Sequence, residues 1–180
     1  MSFNANFKDN QYFYVDKKVL NKQPEELLEE VKLVSLEEEE TKAEMPKNTI
    51  HGSAQGHDRE NSEVFEEYFN ENLKSHLERE TDLGDLEYVA GRSNKMISGH
   101  YSPAHEDYGG YVVSVMPVNE FKFKGGTVVF TQDNGLKVKL KLKKDQILVM
   151  KCTNTHEVEI ITDGVRETLA LFARPQLYEY

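Results

Sequence analysis

Between residues 86 and 174 the chain is a succession of short β-branched or alternating runs: LEYVAG, KMISGHYS, YVVSVMPV, GGTVVFTQ, LKVKLKL, QILVMKC, THEVEII and ETLALFAR. Glycine, asparagine and aspartate break them at regular intervals, and no helical pattern intervenes. Runs of this length and spacing predict a mainly β fold in which strands pair antiparallel, as a sandwich or closed barrel. LKVKLKLKK alternates strictly, which predicts a buried face of Leu136, Val138, Leu140 and Leu142. Its lysines then share an outward strand face, an account that outweighs a dedicated basic patch.

The first 80 residues have a different character. Pro24 and the glutamates of PEELLEEV are helix-start signals. The following stretch, VKLVSLEEEETKAEM, either extends that helix or turns into an exposed strand, the strand being favoured, and its glutamates form a solvated face. Residues 46–61 lack any period and are rich in Gly, Pro, Ser, Asn and His, which predicts a loop. NSEVFEEYFNENLKSHLERE then predicts a helix capped by Asn61 or Ser62. Its apolar stripe is Val64, Phe65, Tyr68, Phe69, Leu73 and Leu77. The whole 180-residue chain is expected to form one domain, with residues 1–80 as helical and strand support and 81–175 as the β core.

Charge narrows the partners. With 32 acidic and 22 basic residues the net charge is −10, a surface that repels phosphate backbones and disfavours nucleic acid. No apolar run is long enough to span a bilayer, and MSFNANFKDN lacks the basic and apolar regions of a secretion signal. The single cysteine, Cys152, rules out an intramolecular disulfide and is expected to be a buried, inert thiol. A cytoplasmic location without membrane contact is the expectation.

The chemistry concentrates around YSPAHEDYGG. His105 and Asp107 stand two positions apart, so on an extended segment both side chains point the same way and can grip one cation. One further imidazole from a neighbouring strand, His156, would complete the two-histidine, one-carboxylate set that leaves coordination positions open on non-haem iron. Arg166, ten residues later, would suit the far carboxylate of an anionic co-substrate, and Thr168 shares its strand face. Taken alone, these residues are equally compatible with separate polar positions in a generic jelly roll.

Their order carries a resemblance. His105-x-Asp107, then FKGGTVVF, then KKDQILVMKCTNTHEVEIITDGVRETLALF resembles the Fe(II)- and 2-oxoglutarate-dependent dioxygenases, within them the prolyl-hydroxylase-like branch. Gly125-Gly126-Thr127 matches the family's Gly-Gly step, and His156-Glu157-Val158 its second histidine segment. Lys144-Asp145 departs from the usual Gly-Asp turn. The likeness covers roughly residues 62–174. It implies a double-stranded β-helix, a jelly-roll or cupin-like barrel with flanking helices. It also implies His105, Asp107 and His156 as the catalytic iron ligands and Arg166 with Thr168 as the co-substrate site. Tyr101 either contacts the co-substrate or simply packs. Among Tyr111, Ser114 and Asn119, one is expected to face inward and assist.

By the same resemblance the cofactors are Fe(II), 2-oxoglutarate and dioxygen, with ascorbate as an accessory reductant. The reaction is hydroxylation of a C–H bond with decarboxylation of 2-oxoglutarate to succinate. The substrate class is an amino acid, free or within a peptide or protein. The loop at 46–61 would help to choose it through Lys47, His51, His57 and Arg59. His76 and His100 are expected to have no part in the site. The rival accounts are a cupin-like metal-binding module and a catalytically inert oxygenase relative that acts as a binding protein.

Overall fold

A computed structural model describes residues 6–39 and 62–176 of the chain. The N-terminal part holds a short helix α1 (Phe7–Asn10), strand β1 (Tyr12–Asp16) and helix α2 (Pro24–Glu39). Helices α3 (Ser62–Asn72) and α4 (Lys74–Thr81) follow. The β region comprises β2 (Leu86–Ile97), β3 (Ser102–His105), β4 (Val112–Pro117), β5 (Lys122–Gly125) and β6 (Val128–Thr131). It continues with β7 (Lys137–Leu140), β8 (Gln146–Lys151), β9 (His156–Val158) and β10 (Ile161–Pro175). All pairings among them are antiparallel.

Two curled sheets face each other. The larger runs β1-β8-β4-β10-β2, with β5 also on β10, and the smaller runs β3-β9-β6-β7. This is the double-stranded β-helix expected from the strand spacing and the resemblance. Between the sheets lie Val113, Val115, Phe130, Leu148, Met150, Ala170 and Phe172. The outer face of the larger sheet is covered by the helices, and there Leu27, Phe65, Phe69 and Leu77 meet Ile147, Val149, Leu169 and Leu171. Strands β4, β8 and β10 are therefore buried on both faces, which is why VVSVMP and QILVMK read as continuous apolar runs.

Helix α3 seats on β2, Phe69 packing near Tyr88 and Phe65 against Gly91. A Cβ on Gly91 would come within 2.9 Å of the Phe65 ring, so a glycine here lets the aromatic stripe reach the backbone of the sheet. The predicted stripe is buried as expected at Phe65, Tyr68, Phe69, Leu73 and Leu77, with Val64 partly so. The helix is nevertheless divided at Leu73, where an α4 without a side-chain cap begins. Asn61 and the side chain of Ser62 lie outside the described residues.

Four expectations are corrected. Residues 31–39 continue α2 and do not form a strand, because a Leu-, Glu- and Lys-rich stretch without Gly or Pro has no reason to leave a helix already started. LEYVAG and KMISGH belong to one strand, β2, ending in a turn at Ser98-Gly99, whereas THEVEII is divided between β9 and β10. Leu136 is 58% exposed, since it precedes β7 in the β6–β7 turn and the alternation governs burial only from there on, at Leu140 and Leu142. Strands β1 and β5 were not anticipated; β1 pairs with the edge of β8 from 130 residues away in sequence, a distance no local pattern registers. The expected strand beyond residue 39 and the loop at 46–61 lie outside the described residues. No helix among the described residues is long and apolar enough to cross a membrane.

Truncation of Phe65 to Ala should lower unfolding stability by about 3–5 kcal/mol, the usual cost for a fully buried phenylalanine. A shift of the urea midpoint without a change in slope would show it, and an unchanged midpoint would remove the α3–β2 seat as a main support of the fold.

Candidate active site

Strand register brings the predicted ligands together. The pairing of β3 with β9 sets His105 directly opposite His156, with ring centroids 4.4 Å apart. Asp107 is drawn in by its backbone N–H, which donates to the Cys152 carbonyl at 2.9 Å. The Asp107 carboxylate then lies 3.1 Å from His156 Nε2 through one oxygen and 3.7 Å from His105 Nε2 through the other. One ligand atom from each residue falls within 4.8 Å of the others. Glu106, between them, turns outward to Tyr108 and Thr155.

The tautomers follow from the backbone. His105 Nδ1 is 2.7 Å from the Pro103 carbonyl and His156 Nδ1 is 2.8 Å from the Asn154 carbonyl. A carbonyl can only accept, so each Nδ1 carries a proton and donates it. In the neutral rings both Nε2 lone pairs therefore point at a carboxylate oxygen. Lone pairs and carboxylate repel unless a positive charge sits between them, either a proton on an imidazole or a metal ion. Two imidazole nitrogens and one carboxylate oxygen, with the far ring nitrogens anchored, suit a first-row transition ion. Burial raises the Asp107 pKa, but the hydrogen bond and charge of His156, with His105 and Arg92, outweigh that and hold the carboxyl below its usual range.

The triad opens into a chamber between the sheets of about 90 Å³. At roughly 10–15 Å³ per water-sized occupant, this admits a small molecule. Arg166 and Thr168 line it from β10, and the β10–β2 register places Met96 opposite Arg166 and Asn94 opposite Thr168. Arg166 is 4% exposed, and burial lowers its pKa to about 10. No carboxylate lies within ion-pair reach of it among the described residues. Its Nη1 donates to the Met96 sulfur at 3.2 Å, and its buried Nε has no partner. The hydroxyl of Thr168 and the amide of Asn94 make no hydrogen bond among the described residues either.

The Gly-Gly step serves this arginine. At Gly126, φ is +68° and a Cβ would stand 2.5 Å from Ile161 Cδ1 and 3.0 Å from Arg166 Cδ. A Cβ on Gly125 would lie 2.1 Å from the Ile160 carbonyl oxygen. Only glycine lets the β5–β6 turn close on the stem of Arg166.

Other predicted positions fall elsewhere. Tyr101 is outside the chamber, 36% exposed, and borders a surface groove with Pro103, Ala104 and Ile160. None of the three polar candidates after the His-x-Asp lines the chamber. Ser114 is fully buried on the opposite strand face, Tyr111 lies under Lys151, and Asn119 turns out to bond Glu167. Val113 and Val115 face inward in their place. The polar wall comes from β2 and β3, through Arg92, Asn94 and Ser102, which sequence reasoning missed. The signal was present as the period-two series Arg92, Asn94, Met96. Cys152 is buried, and burial pushes its thiol up to about 12. His100 accepts from the Ile97 N–H and His76 contacts Arg79, both away from the chamber. Lys47, His51, His57 and Arg59 lie outside the described residues.

No protein-family model and no curated protein matches the sequence. Solved structures do. A Pseudomonas putida prolyl-4-hydroxylase aligns over 95% of this chain and 96% of its own, with a TM-score of 0.60 and 15% identity. A Trichoplax adhaerens prolyl hydroxylase, solved with a peptide fragment of hypoxia inducible factor, aligns over 95% and 86%, with a TM-score of 0.58 and 15% identity. SnoN, a non-heme alpha ketoglutarate dependent epimerase of nogalamycin biosynthesis, aligns over 94% and 80%, with a TM-score of 0.65 and 10% identity. SnoN has also been solved with Fe3+, alpha ketoglutarate and nogalamycin RO. The chain thus has the fold of the 2OG-Fe(II) oxygenases, prolyl-4-hydroxylases among them.

Gly126→Ala should destabilise the protein by at least about 1–2 kcal/mol through its left-handed backbone alone. A crystal structure of the variant should show the Arg166 stem displaced; an unmoved arginine would separate the Gly-Gly step from the chamber.

Proposed function

We propose that this protein is an Fe(II)- and 2-oxoglutarate-dependent oxygenase, the whole chain serving as one oxygenase domain, which hydroxylates a C–H bond of a free or peptidyl amino acid. The observation that carries the proposal is Arg166: a guanidinium 4% exposed, without an anionic partner among the described residues, in the same small chamber as His105, Asp107 and His156. Removing a charge from water costs several kcal/mol, which a fold retains only where an anion arrives to offset it. A short dicarboxylate meets both ends of the chamber. One carboxylate pairs with Arg166 and Thr168, and its 2-oxo acid end reaches the cation site.

His105, Asp107 and His156 would hold Fe(II) through two imidazole nitrogens and a carboxylate oxygen. Bound there, Fe(II) with dioxygen supplies the oxidation that converts 2-oxoglutarate to succinate and carbon dioxide while a C–H bond becomes C–OH. The remaining work falls to the chain. The Pro103 and Asn154 carbonyls keep both imidazoles in the ligating tautomer. Arg166 aligns the co-substrate, and Val113, Val115, Ala170 and Phe172 keep the chamber apolar and exclude water. Ascorbate would act only to restore Fe(II) from outside. The amino-acid substrate rests on the prolyl hydroxylases among the structural neighbours, one holding a peptide. The epimerase marks a second outcome for the same site, a small metabolite altered without net hydroxylation. The inert Cys152 is consistent with work in a reducing compartment.

Fe(II) and 2-oxoglutarate added together without oxygen should produce the weak visible charge-transfer band of their chelate. His156→Ala and Arg166→Ala should each abolish it under the same conditions. Absence of the band from folded, iron-loaded protein would leave the cupin-like binding module as the better account. Separately, Arg166→Met should raise the stability of the ligand-free protein by about 1–3 kcal/mol, since an uncompensated buried charge is removed. The same change should erase the 2-oxoglutarate-dependent rise in melting temperature. Destabilisation of the ligand-free variant would show that Arg166 serves the fold.

A further inference from the structure

Resting on the oxygenase reading, we infer that Met96 is a positioning residue that sets co-substrate length selectivity, its thioether sulfur aiming the Arg166 guanidinium at the incoming carboxylate without neutralising it. The two side chains lie directly opposite on adjacent strands, β2 and β10, and both line the chamber. Met96 is 2% exposed, and its sulfur accepts from Arg166 Nη1 at 3.2 Å. That is the one hydrogen bond Arg166 makes among the described residues, because Nε has none. The aliphatic stem passes close to Gly126, where a Cβ would stand 3.0 Å from Arg166 Cδ.

The choice of atom matters. A carboxylate at this position would neutralise the guanidinium and compete with the ligand. A purely aliphatic side chain would give the head no preferred direction. A thioether is a weak acceptor on a polarisable, apolar side chain. It fixes the orientation of one Nη while the charge stays available, so the guanidinium presents its other donors at one distance from the triad. Fixing that distance selects the length of the diacid.

The test compares wild type with Met96→Leu, which keeps the volume and removes the acceptor, and Met96→Gln, which restores an acceptor at similar reach. In protein free of metal and ligand, the Arg166 Nε–H resonance should shift and broaden in Met96→Leu while the rest of the spectrum is retained. By calorimetry with Mn(II) in the absence of oxygen, Met96→Leu should bind 2-oxoglutarate about 3- to 10-fold more weakly, the size of one ordinary hydrogen bond. Its preference over the six-carbon homologue 2-oxoadipate should fall by a similar factor, and Met96→Gln should recover most of both. Equal weakening toward the two diacids, or an unmoved Arg166 resonance with unchanged affinity, would reduce Met96 to packing and overturn the inference. Arg166→Ala is the separating control: if that variant still binds 2-oxoglutarate like wild type, it is the co-substrate site that fails, whatever Met96 does.

Discussion

Strand β10 is the member on which the rest of the structure depends. Over Ile161–Pro175 it pairs with β2 on one edge and with β5 and β4 on the other, so its backbone hydrogen bonds are taken up along nearly its whole length. Its period of two then does two unrelated jobs. Leu169, Leu171 and Ala173 point to the helices and help to make the outer core. Arg166, Thr168, Ala170 and Phe172 point between the sheets and line the chamber. A one-residue slip of register would turn the guanidinium to the outer face and leave leucines in the chamber. Burial on both faces makes that slip prohibitive.

The chamber that results carries two unmet electrostatic demands. At one end, backbone-fixed imidazoles direct their far nitrogens at a carboxylate, an arrangement that calls for a positive charge between them, a proton or a metal ion. At the other, a buried guanidinium has a thioether as its only hydrogen-bond partner among the described residues. Each would be a defect in a protein whose interior served stability alone, since unpaired buried polar groups are costly. Together they are complementary. A cation and a diacid resolve both, and the apolar walls of Val113, Val115 and Phe172 strengthen the attraction by keeping water out.

Much of this was legible in the order of residues. The strand succession predicted antiparallel pairing, the family resemblance implied the jelly roll, and the stripe from Phe65 to Leu77 predicted a helix packed by its aromatic face. The spacing of His105, Asp107, His156 and Arg166 singled out the four residues that the structure gathers in one chamber. Where the reading failed, a local pattern had more than one solution. Residues 31–39 carry both helix formers and valines, and the helix already begun at Pro24 decided between them. Leu136 obeys the alternation of its neighbours but stands in a turn, where alternation has no meaning. Tyr111, Ser114 and Asn119 were reasonable inward candidates, yet the strand phase is set by Val113 and Val115, and a run apolar on both faces does not disclose its phase.

The sequence by itself determined the fold class and the kinds of ligand atom available, because hydrophobic periodicity and donor chemistry are local properties of the chain. Tertiary structure alone decided which of those atoms meet. The tautomers of both histidines are set locally by the carbonyls of Pro103 and Asn154, but the two imidazoles stand opposite one another only when β3 and β9 pair. The isolation of Arg166, and its contact with a methionine 70 residues away, exists only in the β2–β10 register. Contacts of that kind are set by strand pairing across the whole domain, and pairing is a global minimum that no single stretch of residues encodes.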